Sequence, residues 1–256
     1  MVARFKGGPD LIGAAGLATR WNDSGTLGQD LDVFDLGFQP SIGLDAIDGV
    51  PCMSLPVAPP ADKYLRRATN MLDRFSNPIT AGGRTVLQVV RPIFSAPNFG
   101  IIGGPSFTFF QNTIPQWGCL FDLESNFVAN GAYLWSSAWR DPAFALQATP
   151  IAGGALSPFN AAPTLLEWNS LGHPDINVKV NNVQLVLAPA VQYPAVTGAS
   201  GNAGFMMGNV GTGGVGLNFQ GNIAETIIYD YKLSTAPAEY ARTLDYLRFQ
   251  YPSLVI

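Results

Sequence analysis

The residues that could carry chemistry are few and widely spaced. Glycoside hydrolysis needs two carboxylates flanking the scissile bond, and the nearest pair is Asp122 and Glu124 in FDLES, two apart and hence on one face of a strand. Such a pair at a strand end reads first as a solvated acidic patch. Hydrolysis by a serine or cysteine needs a histidine beside the nucleophile. The chain has one, His173, before a proline in NSLGHPDI, and GASGN around Ser200 lacks the closing glycine of G-x-S-x-G. Gly211, Gly213 and Gly216 stand in G-x-G-x-x-G spacing, but a dinucleotide site needs that spacing between a strand and a helix, and here a strand follows. No catalytic set emerges, and the expectation is a protein that is not an enzyme.

Two binding constellations remain. Asp23, Asp30, Asp32 and Asp35 could offer oxygen ligands to calcium. An EF-hand loop would want Asp or Asn where Phe34 stands and glycine where Asp35 stands, so a solvated acidic loop is the first expectation and calcium the alternative; no other cofactor is expected. Trp117, Tyr133, Trp135, Trp139 and Trp168, with abundant Asn and Gln, could stack on sugar rings and hydrogen-bond their hydroxyls. Burial in a core is the competing role for each. Trp139, beside Arg140 and Asp141, is the first candidate. Cys52 and Cys119 lack metal-ligand spacing and are expected to be small buried hydrophobes, with a bridge between them as the alternative.

Composition narrows the class. Only 12% of the 256 residues are charged, about half the share of roughly 25% usual in soluble domains. Much of the surface is therefore uncharged, either because Gly- and Pro-rich loops cover it or because it is buried in an assembly. The net charge of −4, with no basic cluster beyond Arg66 and Arg67, argues against nucleic acid as a partner. No apolar run reaches the roughly 18 residues of a membrane span. The opening MVARFKGGPD has neither an apolar core nor a small-residue cleavage site, so synthesis in a cytoplasm without export is expected.

The elements that must position these residues are strands. TVLQVVRPI (Thr85 to Ile93), SFTFFQ, WGCLFDLESNFVA, PTLLEW (Pro163 to Trp168), INVKVNNVQLVL (Ile176 to Leu187) and GFMMGN all read as strands separated by turns. Asn181-Asn182 suits a tight hairpin. Within 58–77, ADKYLRRATNMLDRF suggests a helical turn or two, with Tyr64, Ala68, Leu72 and Phe75 on one face. The stretch Gly221 to Ser253 organises the rest. IAETIIYDY predicts a strand with Ile223, Glu225, Ile227 and Tyr229 on one side and Ala224, Thr226, Ile228 and Asp230 on the other. Ser234 or Thr235 then predicts a hydroxyl cap before Pro237. In the helix that follows, Tyr240, Leu244, Leu247 and Tyr251 recur at helical spacing, with Tyr240, Leu244 and Leu247 expected to face the sheet, until Pro252 stops it.

These residues carry a resemblance. Gly221, Ile223, Ala224, Glu225, Ile227, Ile228, Tyr229, Leu233, Ser234, Tyr246, Leu247 and Tyr251 resemble the C-terminal signature of concanavalin A-like, laminin-G-like jelly-roll domains of the type found in phage structural proteins. Trp21, Asp23, Ser24 and Gly25, then Gln39, Pro40, Gly49 and Pro51, resemble the opening of such domains, with W-x-D-x-S-G shortened by one residue. The resemblance implies an all-β fold, an antiparallel two-sheet β-sandwich with a C-terminal helix. Residues 1–20 would be an arm or first strand and 21–256 the sandwich. It also implies a V-N-G-type turn at Asn181-Asn182 and, in some members, calcium at the sandwich rim. Hydrolases of this fold resemble E-x-D-x-x-E, whose first Glu would fall at Leu120 here. The functional expectation is a non-enzymatic bacteriophage virion protein, decorating the capsid or acting as a tail-associated adhesin. Its partners would be the major capsid protein, further copies of itself and a cell-surface glycan. A stand-alone carbohydrate-binding module is the alternative, with a glycoside hydrolase behind it.

Overall fold

The computed structural model describes residues 1, 3–26, 28–33, 39–55, 65–67, 84–92, 107–111, 114–117, 120–128, 132–140, 146–150, 162–172, 175–184, 203–208, 219 and 221–256; across 107–150 it describes the backbone alone. The first strands are β1 (Ala3–Lys6), β2 (Leu11–Ala14), β3 (Leu17–Trp21), β4 (Leu31–Asp32), β5 (Ser41–Ile47) and β6 (Val50–Leu55). Next come β7 (Leu65–Arg67), β8 (Arg84–Pro92), β9 (Phe107–Gln111), β10 (Ile114–Trp117), β11 (Leu120–Val128) and β12 (Ala132–Arg140). Then follow β13 (Leu146–Pro150), β14 (Thr164–Gly172), β15 (Asp175–Val180), β16 (Val183–Gln184), β17 (Ala203–Met207), β18 (Gly221–Tyr229) and the helix α1 (Pro237–Gln250). Among the described residues no helix is long and apolar enough to cross a membrane.

The strands pair antiparallel in a 15-stranded sheet, ordered β10-β9-β17-β7-β4-β3-β5-β6-β18-β8-β14-β15-β16, with β1 on β18 and β2 on β3; β11-β12-β13 form a second, three-stranded sheet. The large sheet folds over itself, so that β3, β4, β7 and β17 share one core with β8, β14, β15 and β18. Phe5 stacks on Phe205 at 6.1 Å between ring centroids and meets Trp21 edge-on at 6.3 Å. Trp21 is fully buried, and its indole N–H donates to the Lys6 carbonyl at 2.8 Å. This is a β-sandwich. Tight turns of left-handed backbone hold its hairpins: Asp48-Gly49 (φ 50° and 82°) joins β5 to β6, and Asn181-Asn182 (φ 49° and 63°) joins β15 to β16, as expected.

β18 is buried along its whole length because one face meets the inter-sheet core and the other meets α1. Its alternation breaks once. Ile223 pairs with Val90 and Glu225 with Val89, so Ala224 is an extra residue, a β-bulge. Ile223 therefore lies in the inter-sheet core with Ile228, while Ala224 joins Ile227 and Tyr229 under the helix. The simple two-face reading of this strand put Ile223 on the wrong side, because a bulge resets the period.

α1 buries Leu244 and Leu247, with Tyr251 at its C-cap, against Leu87, Val89 and Leu165 of the sheet. Each leucine contributes about 1.5–3 kcal/mol by leaving water. The cap is Ala236, with no side-chain cap hydrogen bond, and neither Ser234 nor Thr235 serves; they belong to a short 3-10 turn in which the Thr235 hydroxyl donates back to Lys232 O at 2.7 Å. Pro237 at the first helical position has no N–H to satisfy. The helical turns expected within 58–77 are not what Leu65–Arg67 adopts, since β7 pairs there with β17; Tyr64, Ala68, Leu72 and Phe75 lie outside the described residues. Cys52 is buried, its thiol donating to Val50 O at 3.5 Å, and Cys119 lies outside the described residues.

Candidate functional site

The three-stranded sheet brings three of the aromatic candidates into one row. β12 pairs without interruption with β13 from Ser136 to Arg140 and with β11 from Leu134 to Ala138. The register shift between Glu124 and Val128 places the extra residues on β11, so β12 keeps a strict alternation. Tyr133, Trp135 and Trp139 thus occupy positions on a single face, with Ser137 between the two tryptophans. Opposite them in register stand Leu123 beside Trp135, Phe121 and Thr149 beside Ser137, and Gln147 beside Trp139. Asp122 faces Ser136 and Glu124 faces Leu134, which puts both carboxylates on the other face of the same sheet. Trp117 ends β10 opposite Phe109, in the large sheet, and β10 contacts β12. The side chains of Trp117, Tyr133, Trp135 and Trp139 lie outside the described residues, as do His173, Ser200, Gly211, Gly213 and Gly216.

The acidic loop between β3 and β4 spends its carboxylates on itself. Asp23 accepts from the backbone N–H of Arg4 (2.8 Å), Gly25 (2.7 Å) and Gln29 (2.9 Å), and Asp30 accepts from Asp23 N–H (2.9 Å). Arg20 donates to Asp32 at 2.7 Å and stands 3.7 Å from Asp30. Among the described residues no group of three or more His, Cys, Asp or Glu could hold a metal ion. Asp23, Asp30 and Asp32 thus tie the loop to β1 and β3, and Asp35 lies outside the described residues.

Two buried glutamates under α1 make up the densest polar chemistry of the described residues. Glu225, on β18, accepts from Arg4 Nε (2.7 Å), Tyr246 Oη (3.0 Å) and Tyr251 Oη (2.8 Å). Arg4 also donates to Tyr246 Oη and lies 4.7 Å from that ring's centroid. Glu167, on β14, accepts from Tyr240 Oη (2.6 Å) and from Asn169, with Lys179 Nζ 3.2 Å away. Lys179 in turn sits 4.6 Å from the Tyr240 centroid. Burial, then the adjacent glutamate, pushes the Tyr240, Tyr246 and Tyr251 hydroxyls well above the ordinary tyrosine range. Burial works against the Arg4 charge, but Glu225 outweighs it and the guanidinium is held above its ordinary value.

These groups answer one another and leave no reactive atom unpaired: they are anchors for the helix. Beside them a cleft of about 310 Å³ opens between β18 and α1, floored by Ile227 and Tyr229 and edged by Arg4, Glu239, Arg242 and Tyr246. Sequence reasoning passed over the anchors. The available signal was a glutamate in the middle of a β-branched, largely apolar strand, followed by Tyr240 and Tyr246 on the helix and Tyr251 at its C-cap.

No protein-family model and no curated protein matches the chain. Solved structures do. The binding domain of botulinum neurotoxin serotype D/C superposes with a TM-score of 0.58 at 10% identity, over 91% of this chain and 49% of that one. The binding domain of Paraclostridial Mosquitocidal Protein 1 gives 0.56 at 12%, over 94% and 51%. Trypanosoma rangeli sialidase in complex with sialic acid gives 0.51 at 13%, over 93% and 32%. The chain spans about half of each toxin binding domain and about a third of the sialidase. At these identities the likeness establishes the β-sandwich fold.

Proposed function

We propose that this chain is a non-enzymatic, glycan-binding β-sandwich carried on the surface of a bacteriophage particle, as capsid decoration or as part of a tail-associated adhesin. The observation that carries the binding role is the row of Tyr133, Trp135 and Trp139 at alternate positions of β12, on one face of a three-stranded sheet. Aromatic residues are the type that stacks on the apolar faces of sugar rings, and Ser, Thr and Gln are the type that hydrogen-bonds sugar hydroxyls. Two structural neighbours are named as binding domains and a third was solved with sialic acid, which supports trying glycans first.

The non-enzymatic part rests on placement. The one candidate acid pair, Asp122 and Glu124, lies on the face opposite the aromatic row, so a sugar on the row would not meet it. The particle role rests on the low charge, suited to a surface buried in an assembly, and on the resemblance to phage structural domains. A glycan array probed with the purified chain tests binding; the expected result is retention of at least one glycan class, weakened by Trp135→Ala and by Trp139→Ala. Release of reducing sugar, abolished by Glu124→Gln, would overturn the non-enzymatic reading. Quantifying the chain in purified particles tests location. A fixed copy number with the major capsid protein is expected, and a chain found only free in the lysate favours a stand-alone carbohydrate-binding module.

A further inference from the structure

We infer that the cleft between β18 and α1 binds a small organic monoanion, an apolar ring or short chain bearing one carboxylate; this stands apart from the glycan-binding reading. Shape is the first argument. The cleft measures about 310 Å³, at the small end of the roughly 300–1,000 Å³ of ligand pockets. Ile227 and Tyr229 of β18 form an apolar floor, with Arg4 of β1 on one side. On the other side Glu239, Arg242 and Tyr246, spaced by three and four residues, share one face of α1. Farther along the helix Leu244 and Leu247 fill the contact with Leu87, Val89 and Leu165, whereas over Tyr229 the helix offers only the short Thr243, joined to the tyrosine hydroxyl at 2.8 Å.

Charge is the second argument, and it comes from which groups are already engaged. Arg4 is committed to Glu225 at 2.7 Å and to Tyr246 Oη. Glu239 accepts from the Tyr231 hydroxyl and stands 3.9 Å from the Met1 amino group. Arg242, exposed at the rim, makes no hydrogen bond or ion pair with the described residues. The cleft therefore joins an apolar floor to one guanidinium whose donors are free. A carboxylate matches that fork with its two oxygens, and an apolar body attached to it would cover Ile227 and the Tyr229 ring. A cationic ligand would meet Arg4 and Arg242 together, and a neutral one would leave the guanidinium unused.

The test is a calorimetric titration of the full chain with benzoate and hexanoate, with benzamide as the neutral counterpart of the first, and with inorganic phosphate as an anion that has no apolar body. At least one of the two carboxylates should bind saturably at a single site, more tightly than benzamide or phosphate. Arg242→Gln should weaken it roughly tenfold, and Arg242→Lys, which keeps the charge without the fork, should lose less. Arg248→Gln removes an exposed cation of the same helix that lies outside the cleft and is paired with Asp245, and it should leave binding unchanged. Neither carboxylate bound, benzamide or phosphate bound as tightly as the better carboxylate, or an equal loss in Arg242→Gln and Arg248→Gln would each overturn the inference.

Discussion

Glu225 shows what one residue does when it is buried with three partners. Its side chain is fully buried and accepts from Arg4, Tyr246 and Tyr251. Removing one member of a buried charged pair leaves the others without their acceptor and typically costs about 3–5 kcal/mol. Glu225→Ala is expected to destabilise within that range, read by urea denaturation at neutral pH. Glu225→Gln, which keeps an acceptor oxygen, should lose less. Equal stability of Glu225→Ala and the parent would mean that the cluster does not hold the helix. Trp21 and Trp168 show the other use of an aromatic: both lie in the inter-sheet core, so Trp21→Ala should cost about 3–5 kcal/mol as a core truncation, whereas Trp139→Ala should act on binding.

β18 and α1 together form the element on which the sandwich closes. Leu247 is 1% exposed against the sheet, and Leu247→Ala is expected to cost about 2–5 kcal/mol in the same denaturation assay. The tyrosines give this junction a pH signature. Their folded-state hydroxyls titrate above the unfolded value of about 10, for reasons of burial and the neighbouring glutamates. A group whose pKa is raised by folding contributes its stability in full below the unfolded value and loses it as pH climbs toward the folded one. Stability should therefore be insensitive to these groups at neutral pH and fall above about pH 10. Phe at positions 240, 246 and 251 together should flatten that alkaline decline. A decline unchanged in the triple variant would separate it from the helix anchors.

Much of this architecture was legible in the sequence, and the misses have physical reasons. β8, β14 and β18 follow from runs of β-branched and apolar residues, and the Asn181-Asn182 turn from the tolerance of asparagine for left-handed backbone. The bulge at Ala224 was not legible, because a single extra residue leaves composition unchanged while moving Ile223 to the other face. The anchors were not legible because Arg4 and Glu225 lie 221 residues apart and meet only once β1 pairs with β18. β7 was misread as helical: its three residues are too few to show a period, and pairing with β17 decides their conformation. At the candidate site, the matching parity of Tyr133, Trp135 and Trp139 could be read from spacing. That the carboxylates fall on the opposite face needed the β11-β12 register.

For the molecule as a whole, the proposal is that glycan recognition belongs to the small sheet, with the large sandwich and its helix as scaffold. The tryptophan indole N–H resonances report on this site by site. Titrated with the tightest-binding glycan from the array, the signals of Trp135 and Trp139 should shift in a saturable way while those of the core residues Trp21 and Trp168 stay fixed. Shifts confined to Trp21 and Trp168, or none at Trp135 and Trp139 under saturating glycan, would contradict it.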